Sequence, residues 1–338
     1  MASRVYVESA VREHPRTREL LRRLRNRPVI DIDHYGEVFN PRAQNFRLQK
    51  KDPAIVIARK NQGHVLVAPE GYGLEGDHHY YFSHMLNCLY DCRYCFLQGM
   101  YQSAHQVLFV NYEDFGAGIE NIAQRHAGET VWFYSGYDCD SLANEPMTRF
   151  TDYFLPLLAN IDNAWLELRT KSTQVRSLLA REPCARVVTA FSFSDAHSHA
   201  RLEHGVPSID RRIDAMRRLQ DAGWPLGLRF DPVIYHPEYQ HRFTELVARI
   251  FDAIDAQAIH SVSLGNFRLT RDHFRRVARL YPEEPLFAQP MTLERGIVSY
   301  SREREEEMMA FCEAVLLQHI PARAYQPCDW HGDEFAAG

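Results

Sequence analysis

The sequence predicts an α/β protein built on a parallel sheet, and three observations carry that prediction. Six short apolar runs, each rich in β-branched or aromatic residues and bounded by turn residues, read as buried strands. Amphipathic helical stretches separate them. The alternation is regular from about His79 onward, and strands alternating with helices at this spacing form βα units around a parallel sheet. Six units are too few for a closed eight-fold barrel. Two architectures stay open, a partial barrel and an open doubly wound sheet.

The strands, in order, are "YYFSHML", "TVWFYSG", "AWLELRTK", "RVVTAFSFS", "WPLGLRFDPVIY" and "IHSVSLGNF". Helices are expected over Tyr112 to Gln124, Thr148 to Asn160 and Ser172 to Ala180. The next starts at Ser208, a good N-cap, and stops at Gly223, a C′ glycine. Others span Arg242 to Ala256 and Arg271 to Leu280, and a charged helix from Arg302 to Gln318 lies outside the repeat. The first 75 residues differ, with a basic helix-prone stretch from Arg12 to Arg27 followed by turn-rich text such as "EVFNPRAQNF". No internal repeat or low-complexity tract occurs.

The chain has 338 residues, 45% hydrophobic and 25% charged, ordinary values for a soluble enzyme with ample core volume. A net charge of −5 excludes a global basic field, so a nucleic-acid ligand needs a local basic patch. The opening residues lack the apolar core of a signal peptide, and no apolar run is long enough to span a bilayer. Seven cysteines, an odd number, three of them crowded together, do not suggest a disulfide framework. A reducing cytoplasm is the expected compartment.

Those three are Cys88, Cys92 and Cys95 in "NCLYDCRYCFLQGMY", spaced C-x3-C-x2-C. The loop follows the first strand, and active sites of parallel α/β folds collect at the carboxyl ends of strands. Three thiolates suit a [4Fe-4S] cluster with one open iron. They also suit zinc, with His84 or a remote cysteine as fourth ligand, or no metal at all.

The letters around the loop narrow the choice. Tyr94 precedes the third cysteine, and the loop is followed by repeated βα units, which resembles the radical S-adenosylmethionine (SAM) superfamily. "CRYCFLQ", "SIDRRIDAMRRLQDAGWPLGLRFDPVIYHPEY" and "GNFRLTRDHFRRVARLYPEEPL" are similar to successive blocks of the spore photoproduct lyase family. Their order and separation match over about residues 80 to 325, and the N-terminal helix followed by "ARKNQG" shares the family layout. The resemblance implies a partial (β/α)6 TIM-type barrel over 76–338, with a helical or irregular extension over 1–75 packing on it and a C-terminal helix. It further implies a [4Fe-4S] cluster on Cys88, Cys92 and Cys95, SAM as cosubstrate, and an external electron donor of flavodoxin or ferredoxin type. The family's substrate is a methylene-bridged thymine dimer in DNA, whose bases must leave the stack. A different substrate (nucleotide, peptide or small molecule) and a non-catalytic metal-loop binding protein are the competing readings.

Other residues carry two readings each. By the resemblance, Ser135, Gly136, Asp140 and Ser141 bind the SAM amino group, although Asp140 and Ser141 equally suit a helix N-cap. Lys171 matches a family lysine that approaches SAM, against a merely solvated strand end, and Ser192 a family serine near the ribose or carboxylate. Cys139 stands 51 residues after Cys88, close to the family cysteine that returns a hydrogen atom to product. Alignment on the aspartate of "DSLANE" instead puts Tyr137 there and leaves Cys139 an inert buried thiol. Tyr94 matches one relay tyrosine of the family, whereas the other is replaced by Phe96, which has no O–H to pass. The family's lesion-contacting Arg-Tyr pair has only Arg295 or Tyr300 as substitutes. His197, His199 and His204 are expected as loop residues. Arg12 to Arg27 and Arg271, Arg275 and Arg276 read as solvated helix faces more readily than as phosphate contacts.

Overall fold

The computed structural model describes residues 4–327 apart from positions 41, 43, 70–72 and 75. The N-terminal segment is not only helical and irregular. Strand β1 (Val5–Glu8), helix α1 (Pro15–Arg23) and strand β2 (Val29–Ile32) form a parallel crossover, and β3 (Ile55–Ala58) follows helix α2 (Phe46–Lys51) to pair on the other edge of β1. β3 is wholly buried, as a continuous Ile-Val-Ile-Ala run demands. Four arginines of the basic stretch are occupied: Arg12 pairs with Asp31, Arg16 with Glu113, Arg18 with Glu13 and Arg23 with Glu19.

β4 (Leu66–Val67) then lies antiparallel to β5 (His78–Tyr81), the first barrel strand. After it the chain leaves the barrel. Strand β6 (Met85–Leu86), the two-residue strand β7 (Asp91–Cys92) and β8 (Gln106–Phe109) follow, and β8 and β6 complete the small sheet in the order β2-β1-β3-β8-β6. The two sheets therefore interleave in sequence, and the small one extends well past residue 75.

The barrel continues with helix α3 (Tyr112–Arg125), β9 (Val131–Tyr134), helices α4 (Glu145–Thr148) and α5 (Phe150–Ala159), and β10 (Ala164–Thr170). Helix α6 (Arg176–Leu179), β11 (Val187–Ser192), helix α7 (Ala196–Leu202), the short β12 (Glu203–His204), helix α8 (Ile209–Asp221) and β13 (Leu226–Val233) come next. Helix α9 (Tyr239–Phe251) and β14 (Ile259–Asn266) close the series. In the large sheet, β14, β13, β11, β10, β9 and β5 are parallel neighbours in that order, six strands of a partial barrel. All six strands expected from the sequence are present.

Helix α8 shows how local signals set the frame. Ser208 Oγ accepts from Arg211 N, and Gly223 ends the turn at φ +82°. Between them Ile213, Met216 and Leu219 are buried, each worth about 1.5–3 kcal/mol on removal from water. The helix expected at Ser172 shrinks to α6, because Ser172 Oγ accepts from Gln174 N and opens with a turn instead. His197 and His199 lie on α7 rather than in a loop, capped by the Asp195 carboxylate.

A three-stranded antiparallel unit follows: β15 (Arg268–Thr270), helix α10 (Arg271–Leu280), β16 (Thr292–Glu294) and β17 (Ile297–Ser299). Its hairpin tip holds Arg295 and Gly296 at φ +46° and +82°. Helix α11 (Arg302–Leu317) covers α9 and β14, and β18 (Tyr325–Pro327) adds a parallel edge beside β14. Among the described residues no helix is long and apolar enough to cross a membrane.

Candidate metal and cofactor site

The cysteine loop is held from both sides before any metal is considered. β7 pairs antiparallel with β12, so Asp91 and Cys92 face His204 and Glu203. From the other side Lys50 Nζ donates to the carbonyls of Cys88 (2.9 Å) and Tyr90 (2.8 Å). Tyr281 Oη donates to Asp91 Oδ1 at 2.8 Å and lies 2.8 Å from the Gln98 side-chain amide. Asn87 takes the left-handed conformation (φ +66°) and its amide bridges the carbonyls of Ser103 and His105. These contacts aim three thiols into one cavity of about 280 Å³ at the carboxyl ends of the barrel strands.

The cavity is lined by Cys88, Cys92 and Cys95, with Cys139, Lys171 and Ser192 on strands and loops facing them. Gly136, Tyr137 and Asp140 contribute the turn after β9, and Asp231, Asn266 and Arg268 the far wall. All three loop thiols are free, and burial pushes each up, Cys88 to about 12. They become ligands only by giving up a proton to a metal. A single zinc ion at about 2.3 Å from each sulfur would draw thiols to within about 4 Å of one another. Among the described residues, the one set of three His, Cys, Asp or Glu ligand atoms all within 4.8 Å is His78, His126 and Glu129. The three loop thiols do not all lie within that distance of one another. His84 is no fourth ligand: it stacks on Phe150 at 4.3 Å, outside the cavity, and burial pushes it down to about 3.

Asp140 is consumed by the fold. Its Oδ1 accepts from Leu142 N (3.0 Å), Ala143 N (2.8 Å) and Thr170 Oγ1 (2.6 Å), and Oδ2 from Lys171 N (2.6 Å). It therefore ties the turn after β9 to the end of β10, whereas the N-cap of α4 is Asn144, without a side-chain cap bond, rather than Asp140 or Ser141. Ser135 and Ser141 bond to each other at 2.8 Å and do not line the cavity. Gly136 does line it, and a Cβ there would meet the Arg169 carbonyl at 3.0 Å, so backbone alone approaches.

Lys171 is not solvated. Its Nζ lies 3.2 Å from Glu203 Oε1 and 5.7 Å from the centre of the Tyr94 ring. Glu203 is fully buried and also receives Arg212 (3.0 Å), His199 (2.8 Å), Ser194 Oγ (3.0 Å) and the Tyr94 hydroxyl. Burial opposes its charge, but Lys171, Arg212 and the hydrogen bonds hold it well below the usual carboxylate range. A parallel case, Glu167 on β10, is drawn down to about 2 despite burial by Arg229 and Arg169. Neither carboxylate was suggested by sequence, since their partners lie far along the chain.

Cys139 and Tyr137 both line the cavity. The Cys139 thiol donates to the Ser135 carbonyl at 3.8 Å, and burial, then neighbouring Cys88, pushes it well up. The Tyr137 ring lies 5.5 Å from Phe96 and 4.3 Å from Tyr81. Tyr300 is buried, accepts from Tyr235 N and stays outside the cavity.

Lys50 gives a direct test of how the loop is held. Lys50→Met removes both carbonyl contacts while keeping the aliphatic stem, and is expected to lower iron affinity about 10–100-fold. Iron-chelator competition measures it; unchanged affinity would show that β12 alone suffices.

The family model for spore photoproduct lyase matches residues 77–305. A spore photoproduct lyase of Geobacillus sp. (strain Y412MC61) is 25% identical over 203 residues, an alignment that spans 59% of each chain. That of Bacillus subtilis (strain 168) is 22% identical over 290 residues, 83% of each. A solved spore photoproduct lyase variant with bound AdoMet and dinucleoside spore photoproduct superposes with a TM-score of 0.86 at 18% identity, covering 97% of this chain and 98% of that one. The likeness in fold runs through the small sheet as well as the barrel. With the matched model taking in the cysteine loop and every barrel strand, this chain belongs to the spore photoproduct lyase family.

Proposed function

We propose that this protein is a radical SAM enzyme that repairs a thymine-dimer lesion of the spore photoproduct type. The observation that carries the reading is one cavity at the carboxyl ends of six parallel strands that gathers three free thiols with Gly136, Lys171 and Ser192. Cys88, Cys92 and Cys95 hold the iron. Lys171 and Ser192 offer a cation and a hydroxyl to the carboxylate and ribose of SAM, and Gly136 lets backbone come close. Phe96, Leu97 and Phe267 line the cavity and keep water from a reactive intermediate. When bound, the cluster and SAM supply a 5′-deoxyadenosyl radical that takes a hydrogen atom from substrate. The dinucleoside spore photoproduct held by the solved relatives supports a DNA lesion as substrate. The electron comes from a flavodoxin- or ferredoxin-type donor.

The test is anaerobic reconstitution with iron and sulfide, then reduction with SAM and dinucleoside spore photoproduct. Release of thymine is the expected result. SAM cleavage without thymine would favour a second reading, the same chemistry on another substrate, which Phe96 supports because it lacks the hydroxyl of the family's second relay tyrosine. A preparation that never cleaves SAM would sink both.

Cys139 is assigned here as the hydrogen donor. A thiol exchanges with solvent, so repair in D2O should label the product with deuterium. In Cys139→Ala the labelled product should fall at least about tenfold, with SAM cleavage changed less than about twofold. Label that survives Cys139→Ala but disappears in Tyr137→Phe would transfer the role to Tyr137.

A further inference from the structure

The amino end of the barrel sheet carries a group of ligand-type side chains that the cysteine site does not use. His78 opens β5, His126 ends α3, and Glu129 stands in the turn that leads into β9. One donor atom from each lies within 4.8 Å of the other two. None of the three lines the cluster cavity, which sits at the carboxyl ends of the same strands.

The fold brings these groups together and holds them there. β5 and β9 run parallel with His78 beside Val131, so the turn before β9 lies against the start of β5. One side chain pins that turn: Asn163 Nδ2 donates to the carbonyls of Ala123 (3.0 Å), His126 (2.9 Å) and Glu129 (3.0 Å). Glu129 N donates to the His126 carbonyl at 3.0 Å, and Gly128 supplies the φ of +86° that closes the turn. The His126 ring stacks on that of His78, with centroids 3.7 Å apart and planes 29° apart. Tyr80 Oη, two residues along β5 and so on the same face as His78, lies 3.0 Å from His126 Nε2 and orients that ring. His78 Nε2 and Glu129 Oε2 are 2.7 Å apart. An ion pair accounts for those two groups and not for His126.

Two imidazole nitrogens and one carboxylate oxygen are a donor set that zinc takes, with water in its fourth position. Ligand atoms about 2.0–2.1 Å from one zinc ion stand about 3.3 Å from each other. Closing this set on an ion therefore asks for a small side-chain shift, which Glu129, 60% exposed at its side chain, is free to make. The end of α3 is also the negative end of its dipole, where a cation is favoured. We propose that His78, His126 and Glu129 bind a divalent transition-metal ion of the zinc class, which clamps the start of β5 to the turn between α3 and β9. The role is structural and separate from the chemistry at the carboxyl ends of the strands.

The test is equilibrium dialysis of the cluster-loaded protein against Zn(II), with zinc and iron measured on the same sample. Loading the cluster first occupies the loop thiols, which would otherwise compete for zinc. One zinc per chain is expected at micromolar free metal. His126→Ala and His78→Ala should each weaken that binding at least about tenfold, and so should Glu129→Gln, an exposed change that keeps the side chain's size. His241→Ala, at an exposed His–Glu pair on α9, should leave it unchanged. Saturating zinc should raise the melting temperature of the parent by about 3 °C or more and that of His126→Ala by less than half as much. Magnesium at the same concentration should raise neither, since it prefers oxygen ligands. An iron content equal to the parent's shows that a variant is folded. Zinc held as tightly by folded His126→Ala and Glu129→Gln, loss of binding in His241→Ala instead, binding at millimolar metal only, or an equal rise with magnesium would each overturn the proposal.

Discussion

Cys92→Ala should reduce SAM cleavage by at least about a hundredfold, with the iron content of the reconstituted protein falling in step. Of the three proposed ligands, Cys92 is the most firmly placed by the fold. It sits in β7, 7% exposed, paired with Glu203 across the two-stranded ladder. Neither His84, stacked on Phe150 outside the cavity, nor Asp140, whose two oxygens accept from backbone N–H groups and Thr170, is placed to replace it. Cys88→Ala and Cys95→Ala should behave alike. Cys184→Ala and Cys312→Ala, neither of which lines the cavity, should leave iron content and cleavage within about twofold. Full SAM cleavage by Cys92→Ala would refute the cluster assignment. Loss of iron from Cys312→Ala would show that the damage is to folding rather than to ligation.

The second large effect is on stability. Glu203→Ala should cost about 3–5 kcal/mol by denaturant unfolding, because it strands buried charge. Arg212 is fully buried, and Lys171 is 13% exposed at its side chain. The network also has a pH signature. Glu203 is held well below its unfolded value of about 4.3, so its contribution is complete above that pH and is lost as pH falls below it. The parent protein should therefore lose stability steeply below about pH 4, and Glu203→Ala should show a flatter acid limb. Equal stability of parent and variant at pH 7 would show that the network contributes nothing. Glu203→Gln, which keeps most hydrogen bonds, should fall between the two, and its SAM affinity reports whether Lys171 needs its carboxylate partner.

Much of the frame was legible in the letters. Each of the six apolar runs became a barrel strand, since a buried strand is written locally as a short β-branched or aromatic run between turn residues. Ser208 and Gly223 bounded their helix as expected, because capping needs only neighbouring backbone. The N-terminal strands were not foreseen. "VYVE" and "IVIA" are four residues long, and their pairing with each other and with Gln106–Phe109 depends on segments far apart in the chain. The helix expected to begin at Arg242 starts at Tyr239 instead, where Tyr239 and Phe243 bury against the barrel.

The site divides along the same line. Three cysteines at C-x3-C-x2-C on one loop stand out by spacing, with a cluster, zinc and unligated thiols all open until the family resemblance is added. Lys171 carried no such signal. A lysine at a strand end is ordinarily wet, and only the fold sets it 3.2 Å from a buried carboxylate supplied by β12. Asp140 offered ligand or cap with equal logic until the backbone of 142, 143 and 171 closed on it.

Sequence alone determined the αβ alternation, the crowding of three cysteines on one loop and the family they belong to. Those features depend on periodicity, capping and short spacing, which neighbouring residues encode. Tertiary structure decided which polar groups are buried and what answers them: Glu203 against Lys171 and Arg212, Glu167 against Arg229, and His236 against Asp195. A buried charge is tolerable only with a partner in place, and that partner is chosen by the closing of the barrel rather than by the order of the chain.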